Sequence, residues 1–123
     1  MNRFVVVACM VYVFSSCSFT KEWQGTSTAH VTKADFKDMT GKQVFTLHVP
    51  NNDTYLAYAF KELSGDLEAT IKSPSDYVYY KKIDRSDAST IHLVNQKGAH
   101  YEVSIKGKHA SGTFDVRFTS IAR

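Results

Sequence analysis

From about residue 26 onward, apolar and polar side chains alternate with a period of two, and turn-forming residues interrupt the alternation at roughly ten-residue spacing. Such alternation predicts half-buried β-strands, because successive side chains on an extended backbone point to opposite faces. Within residues 42–49, Phe45, Leu47 and Val49 share one face while Val44, Thr46 and His48 share the other. Pro50-Asn51-Asn52-Asp53 has the composition of a turn. Residues 54–63 follow with Leu56, Tyr58 and Phe60 opposite Tyr55, Ala57 and Ala59, a strand apolar on both faces and therefore central. Ser64-Gly65-Asp66 reads as the next turn, and Leu67, Ala69 and Ile71 then alternate cleanly with Glu68, Thr70 and Lys72.

Beyond a Ser73-Pro74-Ser75-Asp76 loop, strands are predicted over 77–83, 89–94, 100–105 and 114–118. Asn95-Gln96-Lys97-Gly98 between two of them reads as a hairpin turn, with glycine supplying the positive φ. An earlier strand over 28–33 completes the set. About eight short strands without an amphipathic helix predict an all-β domain over residues 28–123, an antiparallel β-sandwich or jelly roll. A closed barrel is the alternative architecture.

Residues 1–16 follow a different rule. Asn2 and Arg3 make a short positive start, and residues 4–14 are an unbroken apolar run of eleven. A bilayer-spanning helix needs about 20 such residues, so the run fits the apolar region of a secretory signal peptide. Of the two cysteines, Cys9 lies inside this run and Cys17 just after it. Ser15-Ser16-Cys17 places small residues before a cysteine where the run ends, which resembles the lipobox of bacterial lipoproteins. Phe14 stands where that pattern usually has leucine or another aliphatic residue. The resemblance implies lipidation at Cys17, cleavage before it, and a polar tether over 17–27 that joins a lipid anchor to the domain. The expected location is the extracytoplasmic face of the cell membrane, with secretion as the alternative.

A second resemblance spans about residues 40–120. Val49-Pro50, Ser64-Gly65-Asp66-Leu67, Ile71-Lys72-Ser73-Pro74-Ser75, the segment Lys97-Gly98-Ala99-His100-Tyr101-Glu102-Val103-Ser104-Ile105, and Ser111-Gly112-Thr113-Phe114 occur in that order. This order resembles the small β-sandwich of pre-peptidase C-terminal-like domains and of small Gram-positive lipoproteins. It implies a non-catalytic accessory or surface-binding module. Some members bind calcium, and Asn51, Asn52 and Asp53 carry suitable oxygens, but the trio reads first as a turn, so no metal or cofactor is expected.

Composition narrows the classes. Apolar residues at 43% and charged residues at 22% are globular proportions, and a net charge of +3, spread among acids, points away from nucleic acid. Lys97, Lys106 and Lys108 form the nearest basic cluster and read as a solvated rim. The five histidines are isolated along the chain, and no nucleophile elbow is present. Asp66 and Glu68 have the spacing of a carboxylate pair on one strand face, although Asp66 also suits a turn. Tyr77 and Tyr79, expected on one face with Tyr80 on the other, are the candidate ligand-contact residues. These features lead to an expected non-enzymatic envelope module, anchored to the membrane by lipid, that binds a protein or polysaccharide. The alternative is a secreted carbohydrate-active enzyme or hydrolase using Asp66, Glu68 or a histidine.

Overall fold

The computed structural model describes residues 19–120. Among them are β1 (Phe19–Ser27), β2 (Val31–His48), β3 (Asp53–Lys72), β4 (Tyr77–Ile83), β5 (Ser86–Val94) and β6 (His100–Thr119), all paired antiparallel, and no helix. The expected signal segment and Cys17 lie outside the described residues. Phe19–Ser27 is not a free tether: it pairs with β2 from Phe19↔Thr40 to Ser27↔Thr32.

The strands are fewer and longer than the eight expected, for one reason. Segments predicted over 28–33 and 42–49 belong to β2, those over 54–63 and 67–72 to β3, and those over 100–105 and 114–118 to β6. Residues that looked like turns are bulges through which the backbone continues. The ladder loses register between Phe36 and Gly41 on β2 and between Glu62 and Asp66 on β3. Positive φ marks the same level on each strand, at Asp38 (52°), Gly41 (117°), Gly65 (79°) and His109 (52°), and at Arg85 (74°) between β4 and β5. A bulge bends a strand and sharpens its twist. Four bends aligned across neighbouring strands make a corner.

The corner folds one sheet into two layers. The first contains β1, residues 31–36 of β2, 112–119 of β6, 53–62 of β3, and β5. The second contains residues 41–48 of β2, 100–107 of β6, 66–72 of β3, and β4. Phe114 is opposite Ala34, eleven residues before Phe45 on β2. A straight strand would separate those levels by roughly 36 Å at about 3.3 Å per residue. Instead the Phe45 and Phe114 ring centroids lie 5.6 Å apart, and Trp23 stacks on Phe36 and Phe45 at 5.7 and 6.0 Å. At the open end, the His48 amide donates to the Ala29 carbonyl at 2.7 Å, joining the two ends of β2. The core between the layers includes Leu47, Leu56, Phe60, Leu67, Ile71 and Val103, all essentially inaccessible to water. Burial of each such side chain contributes about 1.5–3 kcal/mol.

Two connections also differ from expectation. Residues 95–99 do not close a hairpin, because β5 pairs with the first half of β3 while β6 begins opposite the second half. They cross between layers, held by Gly98 N–H to the Val49 carbonyl at 2.8 Å and Asn95 N–H to the Asn52 carbonyl at 2.8 Å. The segment 50–52 likewise carries the chain from the second layer to the first. Among the described residues, paired hairpins are joined by 28–30, from β1 to β2, and by 73–76, from β3 to β4.

Side chains lock the corner. Ser111 Oγ accepts from the Asp38 amide at 3.0 Å, and Thr40 Oγ1 accepts from the His109 amide at 3.0 Å. His109 Nδ1 meets Asp38 Oδ1 at 2.8 Å. Gly65 admits no side chain: a Cβ there would lie 2.0 Å from the His109 carbonyl oxygen, and its φ is already positive. Gly98 also has positive φ, yet a Cβ would meet nothing within 4 Å. Gly98→Ala therefore costs only the left-handed strain of about 1–2 kcal/mol, and Gly65→Ala must cost clearly more in equilibrium urea unfolding. Equal losses would show that the corner yields to accommodate a methyl group.

Candidate functional site

On the outer face of the second layer, three cross-strand rows are set by register. Lys42, Lys106, Glu68 and Lys82 form the first, Val44, Ser104, Thr70 and Tyr80 the second, and Thr46, Glu102, Lys72 and Tyr77 the third. These side chains face outward because their neighbours Phe45, Leu67, Ala69, Ile71, Val103 and Ile105 fill the core. A groove of about 350 Å³ runs over the face, lined among others by Lys42, Glu68, Lys72, Tyr77, Tyr80 and Lys106.

The aromatic pair on this face is Tyr77 with Tyr80, which corrects the expected Tyr77 with Tyr79. Strand alternation alone puts residues three apart on opposite faces. The β3–β4 ladder, however, slips between Ile71↔Tyr79 and Lys72↔Tyr77, one step on β3 against two on β4. That bulge turns Tyr77 to the side that Tyr80 occupies. Tyr77 is 59% and Tyr80 67% exposed, and their ring centroids lie 6.4 Å apart. Lys72 Nζ sits 5.7 Å from the Tyr77 centroid, within cation–π range. The Tyr80 hydroxyl donates to Glu68 Oε2 at 3.2 Å, and the nearby Glu68 charge pushes its phenol up from the ordinary value.

Tyr79 is partly buried and packs against the core. Its ring lies 4.4 Å from Tyr58 and stacks on Phe60 at 5.6 Å, while its hydroxyl donates to Asp87 Oδ2 at 2.6 Å. Asp87 also meets Lys81 Nζ at 3.7 Å. Burial first, then the Asp87 hydrogen bond and charge, push the Tyr79 phenol well up; burial and Asp87 do the same to Tyr58.

The remaining candidates are dispersed. His48 and His100 are register partners with ring centroids 4.3 Å apart. His92 stacks on Tyr55 at 4.5 Å and places Nε2 2.6 Å from Asp53 Oδ1, and His109 serves the corner. Asn51 Oδ1 accepts from the Asp53 amide and Asn52 Oδ1 from the Lys97 amide, each at 3.1 Å, so the turn uses these oxygens itself. Among the described residues, no three His, Cys, Asp or Glu side chains gather as a metal site. Asp66 and Glu68 both line a hollow of about 220 Å³, but Lys82, Lys106 and Lys108 line it too. In its row Glu68 stands between Lys106 and Lys82.

A wider trough of about 660 Å³ crosses the outer face of the first layer, where Lys33, Asp35, Lys61, Thr113 and Asp115 line it with small residues between. Sequence reasoning missed this trough and the roles of Tyr80, Lys42 and Lys72. Only the strong alternation over 67–72 signalled which lysine would face out.

No family model and no curated protein matches this chain. By structure it is similar to a CBM4 chain, 10% identical, covering 92% of this chain and 82% of that one, with a TM-score of 0.43. It is also similar to the xylan-binding CBM22-1 domain of Paenibacillus barcinonensis Xyn10C, 9% identical, covering 85% and 84%, with a TM-score of 0.28. A third likeness is to the GH115 4-O-methyl-α-glucuronidase BtGH115A, 11% identical, covering 86% of this chain but 18% of the enzyme, with a TM-score of 0.39.

The partly buried Tyr58 and Tyr79 generate a pH dependence with a definite sign. A phenol whose folded pKa is raised adds stability that is complete below the unfolded value of about 10 and is lost as pH climbs above it. Urea unfolding should therefore show stability falling above pH about 10. Tyr79→Phe should cost about 1 kcal/mol at neutral pH by removing the hydroxyl that donates to Asp87, and should flatten the alkaline decline. A decline as steep as in the unsubstituted protein would place its origin elsewhere.

Proposed function

We propose that this protein is an exported, lipid-anchored, non-enzymatic module that binds a cell-envelope polysaccharide through the Tyr77–Tyr80 face. The observation that carries the reading is the pair of exposed tyrosine rings converging beside an outward groove. Sugar rings present flat C–H faces that stack on aromatic side chains, and hydroxyl-bearing neighbours such as Thr70 and Ser104 supply the hydrogen bonds. The two rings lie among polar and charged residues, including Lys42, Glu68, Lys72 and Lys106. A protein-docking site favours a contiguous apolar centre depleted of charge, and this face lacks that character.

The export part of the reading rests on the positive start, the eleven-residue apolar run and the Ser15-Ser16-Cys17 sequence. Two or three acyl chains at Cys17 would hold the protein at a bilayer, since each buried methylene contributes about 0.8 kcal/mol. β1 begins two positions beyond Cys17, so such an anchor would hold the sheet close to the membrane surface.

Two measurements test these statements. Calorimetric titration against a panel of envelope polysaccharides should detect binding that Tyr77→Ala and Tyr80→Ala each weaken roughly tenfold, with the melting temperature unchanged. Unaltered affinity in both variants would remove the face from consideration. In cell fractionation, Cys17→Ala should move the protein out of the membrane fraction, and full membrane retention would exclude the lipid anchor.

A further inference from the structure

We propose that His48 and His100 form a binding site for a divalent transition-metal ion such as Zn2+ or Ni2+. The two histidines lie far apart in the chain and become direct partners in the β2–β6 ladder. Their backbone is fixed from both sides. The Val49 amide donates to the Ala99 carbonyl at 2.9 Å and the Gly98 amide to the Val49 carbonyl at 2.8 Å, while the His48 amide turns away to the Ala29 carbonyl. Because the flanking Val49–Ala99 position carries a hydrogen bond across the strands, His48 and His100 occupy a non-hydrogen-bonded position. Antiparallel strands bring side chains closest there, with Cα atoms about 4.5 Å apart.

The ring spacing suits one cation shared by both. With a metal–nitrogen bond of about 2.0–2.1 Å, a bound ion lies roughly 3.2 Å from each imidazole centroid. Between right-angle and tetrahedral geometry, two such rings have centroids about 4.5–5.2 Å apart. The His48 and His100 centroids are 4.3 Å apart, with planes tilted by 59°. Chelation therefore asks the rings to open by less than about 1 Å.

Two other histidines show what a structural role looks like in this chain. His92 lies nearly flat on Tyr55, at 14°, and sets Nε2 against Asp53, while His109 sets Nδ1 against Asp38 at the corner. Among the described residues, neither ring of the His48–His100 pair has a hydrogen-bond partner. Their nitrogens are thus available as ligands on the outer face of the second layer, with His100 exposed and His48 half-buried. Glu102, one row along on the same face, stands opposite Lys72 and is left to that partner. The site is then two imidazoles with water completing the coordination. Such a donor set suits zinc, nickel and copper, and not calcium or magnesium.

Calorimetric titration of the purified protein with Zn2+ and with Ni2+ tests the site. One saturable site per chain is expected, and His48→Ala and His100→Ala should each weaken it at least about tenfold, while His92→Gln leaves it unchanged. An ion held by the folded ladder favours the folded state, so saturating Zn2+ should raise the melting temperature of the unsubstituted protein and not that of His100→Ala. Should an alanine variant melt lower without metal, His48→Gln and His100→Gln, which keep the positions polar, carry the comparison. Absence of saturable binding below about 1 mM overturns the proposal. Binding that survives both substitutions marks an adventitious site elsewhere and overturns it, as does displacement of the ion by equimolar Ca2+.

Discussion

The whole architecture depends on the corner at which β2, β3, β6 and the β4–β5 junction turn together. A flat antiparallel sheet with alternating apolar residues would leave its greasy face in water. Bending every long strand at one level lets that face close upon itself, so one sheet serves as both layers. The bend requires backbone conformations that most residues avoid, and the positions carry glycine, aspartate or histidine, all enriched at positive φ, with Arg85 the exception. Ser111 Oγ and Thr40 Oγ1 accept hydrogen bonds from the Asp38 and His109 amides, which the broken ladder would otherwise strand.

Closure brings together aromatic rings from distant parts of the chain. Trp23 of β1, Phe36 and Phe45 of β2 and Phe114 of β6 stack near the corner, while Tyr58, Phe60 and Tyr79 pack at the β3–β4 side. The Tyr79 hydroxyl donates to Asp87 of β5, so a partly buried polar contact ties β4 to the strand of the other layer. The same strand then sends Tyr77 and Tyr80 outward. One seven-residue strand therefore both fastens the layers and presents the rings on which the functional reading rests.

Face and fold are linked through register. The lysine rows exist because β2, β6 and β3 stay in step from 41 to 48, 107 to 100 and 67 to 72. The bulge at Tyr77 adds the second ring without altering any core residue. Alternation thus commits the inner side to packing and leaves the outer side free to carry charge, and the outer face of the second layer sets lysines, Glu68 and Glu102 beside the Tyr77 and Tyr80 rings.

Local pattern determined a good deal. Period-two alternation around Phe45, Leu67, Ile71, Val103 and Phe114 was enough to establish an all-β chain and most of its inward residues, because side-chain direction on a strand depends only on neighbouring positions. Ser64-Gly65-Asp66 looked like a turn because a bulge and a turn ask for the same positive-φ residues, and only pairing with β6 on both sides distinguishes them. The placement of Phe19–Ser27 in the sheet, the crossing of 95–99 between layers and the outward swing of Tyr77 were likewise decided by tertiary pairing. Each depends on which strand lies alongside and in what register, and that is a property of residues far apart in the chain.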